Sequence, residues 1–492
     1  MVAFNKIPSN NLVPGAYAEF DKSGALQGTP AKPRQALIIG IVPASSSGPK
    51  ETPQAITSGP EVLEKWGASQ LAALGEAFTR VKRDLPIDVI AVDEPSGGAA
   101  AVANLTMSGT ATEDGTLNVY VNGIRLQVGV SNGDDWIAIE TAIITAITDA
   151  ATGTYKWLMP LSAADNTGTL EVTASEKGEH GNDMTFSVAD GPQDKMPAGL
   201  TIDSQSSFAG GSGVPDLTNA IAAWADTQYD TVVTGVTEDT ELGKLESEMA
   251  TRWGPMIAKD GLIFGAIRGT HGDHTTYAGN RNSPYCSILG TGESQTPPWV
   301  WAAQAAARDA EIMFSPRPRF GRTLPDVIPP RKDKRFDRAE RQTLLGEGIS
   351  TYKVGASGTA LLERLITTYT EDEATGTPDP VYRNVSTMRN LAYLRWSWNL
   401  RLELKYPDYD VADDGTQFDP ETKVVTPSVI RGEAVAWFGQ MEKRGRVENK
   451  EAFKAALVVD RAAGNVNRIE VLNPPDLINE LVDIATRFAF RL

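Results

Sequence analysis

The residues of this chain best suited to metal binding or proton transfer are its three histidines, His180, His271 and His274. The last two are separated by Gly and Asp, a spacing that two ligands of one zinc ion could use. The sequence fixes no third ligand, and the surrounding Gly, Asn and Thr residues predict a loop. We therefore interpret both histidines as polar loop residues and predict no metal site.

The sequence motifs give equally weak support for nucleophilic catalysis and for phosphate binding. Ser357 stands between Gly355 and Gly358, but the second glycine of a nucleophile elbow is missing, so the segment predicts a turn. The Gly-rich segment 210–213 follows no strand and carries neither a Walker A nor a dinucleotide motif, which indicates a linker. Cys286 is the only cysteine, which excludes an internal disulfide and a cysteine-based zinc site. We predict no catalytic residue and no cofactor.

The composition is that of a globular protein that buries sizeable cores. Of 492 residues, 41% are hydrophobic and 22% are charged, and this length predicts roughly three domains. No apolar run approaches the roughly 20 residues that cross a bilayer, and the first residues lack the apolar core of a signal peptide. We therefore expect a chain that is made and kept in a cytosol, with no membrane partner.

The charge of the chain is negative and unevenly spread. A net charge of −17 argues against nucleic-acid binding, which needs a basic surface. Residues 101–200 carry 4 basic and 13 acidic side chains, whereas residues 381–492 carry 16 of each. This asymmetry suits an assembly with distinct outer and inner surfaces, and a solvated acidic domain explains it almost as well.

Alternating apolar and helical patterns predict an α/β architecture. Residues 34–42 and 87–92 are typical of buried strands, on either side of a helical pattern over 62–78. The alternation returns after residue 214 with helices over 217–224, 242–252 and 299–308 and strands over 231–235 and 261–267. Further helices are predicted over 338–345, from Ser386 or Thr387, over 430–443 and over 448–457, with a strand over 456–460.

Between these α/β parts lies a β-rich, acidic segment. Asn122-Gly123 separates two strand patterns, 116–121 and 124–130, and this dipeptide predicts a type I′ hairpin. Residues 136–150 predict an amphipathic helix. The segment therefore indicates an inserted domain.

Both ends of the chain are typical of strands that need a partner. The last nine residues alternate between an apolar and a polar face. These faces are formed by Phe488, Phe490 and Leu492 and by Arg487, Ala489 and Arg491. Residues 13–20 form a second short extended pattern. Such strands pair either within their own domain or with another copy of the chain, and the pattern alone leaves both open.

The C-terminal third carries Arg338-Ala-Glu-Arg341 followed by Leu344-Leu-Gly-Glu-Gly348-Ile-Ser-Thr351. In these motifs it resembles the contractile tail sheath family of phages and phage-like particles. Other similar segments are 363–369, 390–406, 427–431 and 472–480, together with Val13-Pro-Gly15 before an aromatic strand and residues 101–190, which are similar to the insertion of Mu-like sheaths. The resemblance covers most of the chain.

The resemblance implies an α/β multidomain protein whose subtilisin-like α/β core scaffold has no catalytic triad. It also implies an inserted β-rich domain, an α+β C-terminal domain and extended terminal strands. The expected units are an N-terminal extended arm (1–33), an α/β domain (34–100, continued by 190–214), the inserted acidic β-rich domain (101–189), the sheath core (215–365) and the C-terminal sheath domain (366–492).

The function implied by the resemblance is that of a structural subunit, not an enzyme. Copies would polymerise helically around a tail tube through exchanged terminal strands, with Gly15, Tyr17, Phe20, Arg487, Phe488, Phe490 and Leu492 in the inter-subunit arms. Contraction would drive the tube through the host envelope. The implied partners are further copies, the tail tube protein, and baseplate and tail terminator proteins, in a virion tail assembled in the host cytoplasm.

Sheaths place their C-terminal domain inside, so Lys450, Glu451 and Lys454 are expected to face the tube, unless they form an ordinary solvated helix face. The acidic insertion would project outward. Three other functions stay open at this point. They are a host-surface adhesin or decoration protein, a divergent subtilisin-like hydrolase, and the sheath of a bacteriocin or secretion-type injection system.

Overall fold

The structure, a computed structural model, describes residues 31–191, 193–419 and 422–491. Within these ranges the chain is a mixed α/β protein with two buried apolar clusters. The larger cluster draws on residues 36–392 and the smaller one on residues 393–477. No helix in the described ranges is both long and apolar enough to cross a lipid bilayer.

The first α/β segment has the predicted order of strand, helix and strand, but its helical part is broken in two. Gly67 ends the first helix with a φ of 80°, and Ser69 starts the second by accepting a hydrogen bond from the Ala72 backbone N–H. The single helical pattern over 62–78 is therefore corrected to two helices. The elements are β1 (Ala36–Val42), β2 (Gln54–Ile56), α1 (Gly59–Trp66), α2 (Gln70–Val81) and β3 (Ile87–Asp93).

The segment after β3 folds into two small antiparallel sheets. Its elements are β4 (Ala100–Gly109), β5 (Gly115–Val121), β6 (Ile124–Val130), α3 (Trp136–Thr152), β7 (Leu161–Asp165), β8 (Leu170–Lys177), β9 (Phe186–Val188) and β10 (Leu200–Gln205). One sheet has the order β10-β4-β8-β7 and the other β6-β5-β9. The predicted hairpin is confirmed, because Asn122 and Gly123 have φ values of 49° and 82°, as a type I′ turn requires.

The next segment alternates helices and strands, as predicted. Its elements are α4 (Thr218–Ala222), β11 (Thr231–Thr234), α5 (Asp239–Trp253), β12 (Leu262–Ile267), α6 (His271–Ala278), β13 (Cys286–Gly290), α7 (Pro298–Glu311), β14 (Thr323–Leu324), α8 (Arg338–Gly346), β15 (Ile349–Val354) and β16 (Ala360–Arg364). Helices α2 and α7 pack together over β1, β11 and β12. Gly40 of β1 permits this close approach, since a Cβ there would lie 2.7 Å from the Cα of Leu71.

Nine strands form one large sheet in the order β14-β16-β15-β13-β12-β11-β1-β3-β2. Strands β3, β1, β11, β12, β13 and β15 run parallel, with antiparallel strands at both edges. Because β1 lies between β3 and β11, the segments expected as an α/β domain and as a sheath core contribute to one sheet. The chain leaves this sheet after β3 and returns at β11. The likeness of this core to subtilisin stays a prediction.

The C-terminal segment is mainly helical and carries three two-stranded sheets. Its elements are α9 (Val385–Lys405), β17 (Asp410–Val411), β18 (Val424–Val425), α10 (Pro427–Lys443), β19 (Val447–Glu448), α11 (Lys450–Ala456), β20 (Val458–Arg461), β21 (Ile469–Leu472) and β22 (Asp476–Leu477). The predicted helices are confirmed. Helix α11 packs on α10 through stacked Phe438 and Phe453 rings, whose centroids are 4.1 Å apart.

The predicted terminal strand is not formed in the single chain. Residues 478–491 have no regular secondary structure, and those from 479 make no backbone hydrogen bond to another described segment. A strand exists only when a neighbouring strand accepts and donates its backbone hydrogen bonds. Residues 484–491 therefore do not pair as a strand within the described chain, and a strand donated to another copy stays a prediction. Leu492 lies outside the described residues.

Candidate functional site

His271 and His274 lie in the first turn of helix α6, where the sequence predicted a loop. Thr270 caps this helix, and its side chain and backbone exchange hydrogen bonds with Asp273. This Thr-x-x-Asp arrangement is a capping box, a local signal that identifies the start of a helix. The loop prediction was wrong because that signal was not used.

The geometry explains both histidines by packing. The Nδ1 atom of His274 is 2.7 Å from the carbonyl oxygen of Thr270, and its ring meets the Phe336 ring edge-on. Burial lowers the pKa of His274, so the ring is neutral near pH 7. Within the described ranges, no three His, Cys, Asp or Glu side chains stand close enough to share a metal ion.

The remaining nucleophile candidates are also accounted for by the fold. Ser357 lies in the turn between β15 and β16, as predicted, and its Oγ is 3.1 Å from the Oγ1 of Thr359. Cys286 is buried in β13, and burial raises the pKa of its thiol well above the usual value. A thiol held in this protonated form is a poor nucleophile.

A buried polar contact anchors the inserted segment to the large sheet. The Glu176 carboxylate accepts a 2.7 Å hydrogen bond from the backbone N–H of Gln70, the first residue of α2, and lies 3.2 Å from the Nε2 of His180. A carboxylate at a helix N-terminus is favoured by the unpaired N–H groups there. Burial nevertheless raises the pKa of Glu176. His180 is therefore structural, and no local pattern in the sequence indicates this long-range contact.

The C-terminal tail, defined here as residues 478–491, exposes several large apolar side chains. Phe488 is 88% exposed and Phe490 is 83% exposed. Leu481, Val482 and Ile484 are also exposed. Large apolar side chains that lie together in water mark a surface that binds another molecule. The predicted arm residues Arg487, Phe488 and Phe490 are therefore accessible for pairing.

A hairpin close to the tail in sequence has two open edges. Strands β20 and β21 pair only with each other among the described residues, and they pack on α10. The Ala462 N–H bonds to the Arg468 carbonyl oxygen. In an antiparallel ladder, hydrogen-bonded and non-hydrogen-bonded residue pairs alternate. The backbone N–H and C=O groups therefore point away from the hairpin at Val459 and Arg461 of β20 and at residues 469 and 471 of β21. Each edge can accept one further strand.

The three side chains expected to face a tube lie together on the surface. Lys450, Glu451 and Lys454 belong to α11, whose buried side chain is Phe453. The Nζ of Lys454 is 2.7 Å from the Glu451 carboxylate, and this bond lowers the pKa of Glu451. Such exposed pairs contribute little to stability, so the face is available to a partner.

The arm residues Gly15, Tyr17 and Phe20 lie outside the described residues. Near the start of the described residues, the Nζ of Lys32 bonds to the Asp230 carboxylate and lies over the Phe314 ring.

A buried ion network joins the C-terminal helix α9 to the large sheet. Asp309 of α7 binds Arg389 at 2.7 Å and Arg319 at 2.7 Å, and all three side chains are almost fully buried. Arg389 also donates to the Oγ1 of Thr231 in β11. Burial alone would raise the pKa of Asp309, but the two arginines lower it. The network fixes α9 against the sheet.

Comparison with known proteins identifies the same class of protein throughout the chain. A family model described as the phage tail sheath protein central domain matches residues 210–368. The Mu-like prophage FluMu tail sheath protein of Haemophilus influenzae is 32% identical over 484 residues, which cover 97% of each chain. A sheath tail protein of Desulfitobacterium hafniense has the same fold at 14% identity, with a TM-score of 0.50 over 95% of this chain and 97% of that one.

Proposed function

This chain belongs to the phage tail sheath family, and we propose that it polymerises around a tail tube through exchanged N- and C-terminal strands. The family consists of structural tail components and not of enzymes. The chain is accordingly a sheath protein of a phage or of a related contractile injection system. Contraction of the polymer would drive the tube through a host envelope, after assembly in the host cytoplasm.

The observation that carries this proposal is that one chain has both an exposed apolar tail and a hairpin with open edges. The C-terminal tail exposes Phe488 and Phe490, and the β20–β21 hairpin has two edges without a partner among the described residues. A neighbouring tail, near 486–492, would complete one edge, and a neighbouring N-terminal segment, near 15–20, the other. Each backbone hydrogen bond contributes about 0.5–1.5 kcal/mol.

The apolar faces also match. Val459 is buried against α10, and Val471 packs beside it. A donated strand whose Phe488 and Phe490 point the same way would extend this apolar layer. At about 25 cal/mol per Å² of apolar surface, two phenylalanines stabilise the contact by several kcal/mol.

Contraction requires parts that stay rigid and parts that move. The ion network of Asp309 supports a rigid unit of sheet and α9, whereas residues 479–485 make no backbone hydrogen bond to other described segments. We propose that this linker and the N-terminal arm, 1–33, absorb the movement. A difference of about a few kcal/mol per subunit between two packings suffices, because it adds over the array.

Partners other than further copies are part of the proposal. The exposed face of α11, with Lys450, Glu451 and Lys454, would contact the tail tube protein. Baseplate and tail terminator proteins would cover the two ends of the polymer. The acidic insertion would face outward, and a role of this insertion in binding a host surface is the second candidate function.

The test is electron microscopy of the purified chain beside a version that ends at residue 484, each with and without the tail tube. We expect hollow, ribbed tubes from the full chain and monomers from the truncated one. Residues 485–491, which the truncation removes, are exposed in the structure, so the circular dichroism spectrum should be unchanged. Tubes from both versions would exclude exchange of the C-terminal strand, and no tubes from the full chain would exclude self-assembly.

A further inference from the structure

We infer that the donated C-terminal strand is recognised by charge as well as by shape. In this inference, which rests on the strand exchange proposed above, Arg487 and Arg491 of one copy bind the acidic outward face of hairpin β20–β21 in a second copy. Asp460, at the open edge of β20, is the main acceptor.

The acceptor face carries two acidic side chains directly opposite each other. Asp460 of β20 is the cross-strand partner of Glu470 of β21, and both are exposed. Like charges in this position destabilise a sheet. Glu470 lies 3.2 Å from Arg468, whereas Asp460 forms no ion pair within the described ranges. The edge of β20 therefore offers an acidic group that a cationic strand would neutralise.

The donor strand has the complementary arrangement. Arg487 and Arg491 are four residues apart, so in a strand they share one face at a spacing of about 13 Å, with the small Ala489 between them. If Ala489 stands opposite Asp460, the two arginines lie diagonally on either side of it. Diagonal neighbours are about 7–8 Å apart at the Cα atoms, within reach of an arginine side chain.

Charge and apolar packing select the same orientation of the strand. When Phe488 and Phe490 point to the Val459 side of the hairpin, the arginines necessarily point to the Asp460 side, since side chains alternate. A slip of one residue would bury both arginines and expose both phenylalanines. The acidic pair therefore penalises every odd register and strengthens the correct one.

The occupant is a second copy, because the tail and hairpin of one chain remain apart in the structure. The tail residues are exposed, and Phe488 is 88% exposed although the hairpin ends only at Leu472. The same chain thus supplies both the cationic donor and the acidic acceptor.

The test uses two full-length variants with opposite charge reversals. The tail variant is R487E/R491E, and the hairpin variant is D460K/E470K. Each variant alone would place like charges together, so we expect its sedimentable assembly to fall by roughly 10-fold or more. An equimolar mixture places each reversed strand against a reversed partner, and we expect it to sediment within about twofold of the unchanged chain.

A matched control separates this effect from a change in net charge. R125E/K195E changes the charge by the same amount as R487E/R491E, but at exposed residues between β4 and β10, and should assemble normally. Circular dichroism of every variant verifies that the monomer is folded.

The outcomes distinguish this inference from the proposed function. If both variants assemble alone like the unchanged chain, while the version ending at residue 484 does not, strand exchange stands and recognition by charge is wrong. Failure of the mixture to restore assembly would also overturn the inference. If the version ending at residue 484 assembles, strand exchange itself is wrong, and the inference falls with it.

Discussion

Where the insertion meets the large sheet, the charge states of buried carboxyl groups matter most for the stability of the fold. Asp183 lies shortly after His180 in the sequence. Burial raises the pKa of Asp183 to about 6, although the positive charge of Arg268 opposes this effect. Burial also raises the pKa of Glu176 and of Glu238. These groups bind protons more tightly in the folded chain than in the unfolded chain, so they make folding depend on pH.

For Asp183 the sign follows from its raised pKa. Both states are protonated only well below the unfolded pKa of 3.8, and the stabilisation by the bound proton is lost as the pH rises from that value to about 6. The difference corresponds to roughly 3 kcal/mol. We expect Asp183→Asn to unfold like the unchanged chain at pH 4 and to be more stable at pH 7, as measured by urea denaturation. Equal stability differences at both pH values would contradict this expectation.

Single residues were the scale at which the sequence predicted least. The prediction that Ser357 lies in a turn followed from a local motif, and the structure places Ser357 in a turn. The contact of Glu176 with Gln70 joins residues more than 100 positions apart, and no spacing rule connects them. The same holds for the acidic pair of Asp460 and Glu470, which becomes visible only when the register of β20 and β21 is known.

At the scale of elements, the junction between α7 and α9 is the feature with the clearest energetic consequence. Asp309 neutralises two buried arginines, and removing one member of such a network leaves an uncompensated buried charge. Arg389 also holds β11 through Thr231. The network therefore connects the large sheet, α7 and the C-terminal segment.

We expect Asp309→Asn to lower the free energy of unfolding by about 3–5 kcal/mol, because Arg319 and Arg389 would lose their counter-charge. The matched control is Glu311→Gln in the same helix, which breaks partly exposed pairs with Arg308 and Arg322 and should cost less than about 1 kcal/mol. Denaturant titration of both variants tests the difference. Similar costs for the two would mean that the buried network does not fix α9.

Elements with a strong local pattern were predicted well. β1 and β12 are continuous apolar runs, and β3 and β11 are short segments rich in β-branched residues. The Asn122-Gly123 turn requires positive φ values that few other residues adopt easily. Strands β13, β15 and β16 were not identified, because their short segments have no clear alternation and form only by pairing with distant strands. The strand predicted at the chain end has no partner among the described residues of its own chain, so it stays a prediction.

At the scale of the whole molecule, the segment from β4 to β10, which contains the insertion, begins and ends at neighbouring points of the sheet domain. Ala99 and Ser212 form an antiparallel bridge with two backbone hydrogen bonds of 3.1 Å, so the two ends of the insertion lie side by side. The chain could therefore pass from one to the other through a short turn.

This geometry allows the role of the insertion to be tested directly. We expect a chain in which Asn-Gly replaces residues 100–211 to fold and to form tubes, because the tail and the β20–β21 hairpin are unchanged. It should be less stable than the full chain, since the Gln70 N–H loses its bond to Glu176. Electron microscopy and thermal unfolding measure the two effects. A folded variant that forms no tubes would assign the insertion to assembly, and retained tubes with lost host binding would support the adhesin role.

The unpaired tail has one more consequence when strands are exchanged along a polymer. Every finite polymer then ends in two different surfaces. The last subunits at one end have C-terminal strands that no neighbour accepts, and the last subunits at the other end have hairpin edges that no neighbouring strand completes. The first surface presents Phe488 and Phe490 to water, and the second presents open backbone groups beside Asp460. A strand-exchanged tube of this protein is therefore polar. If strands are exchanged, a protein that closes one end would have to accept a strand, and a protein that closes the other end would have to supply one.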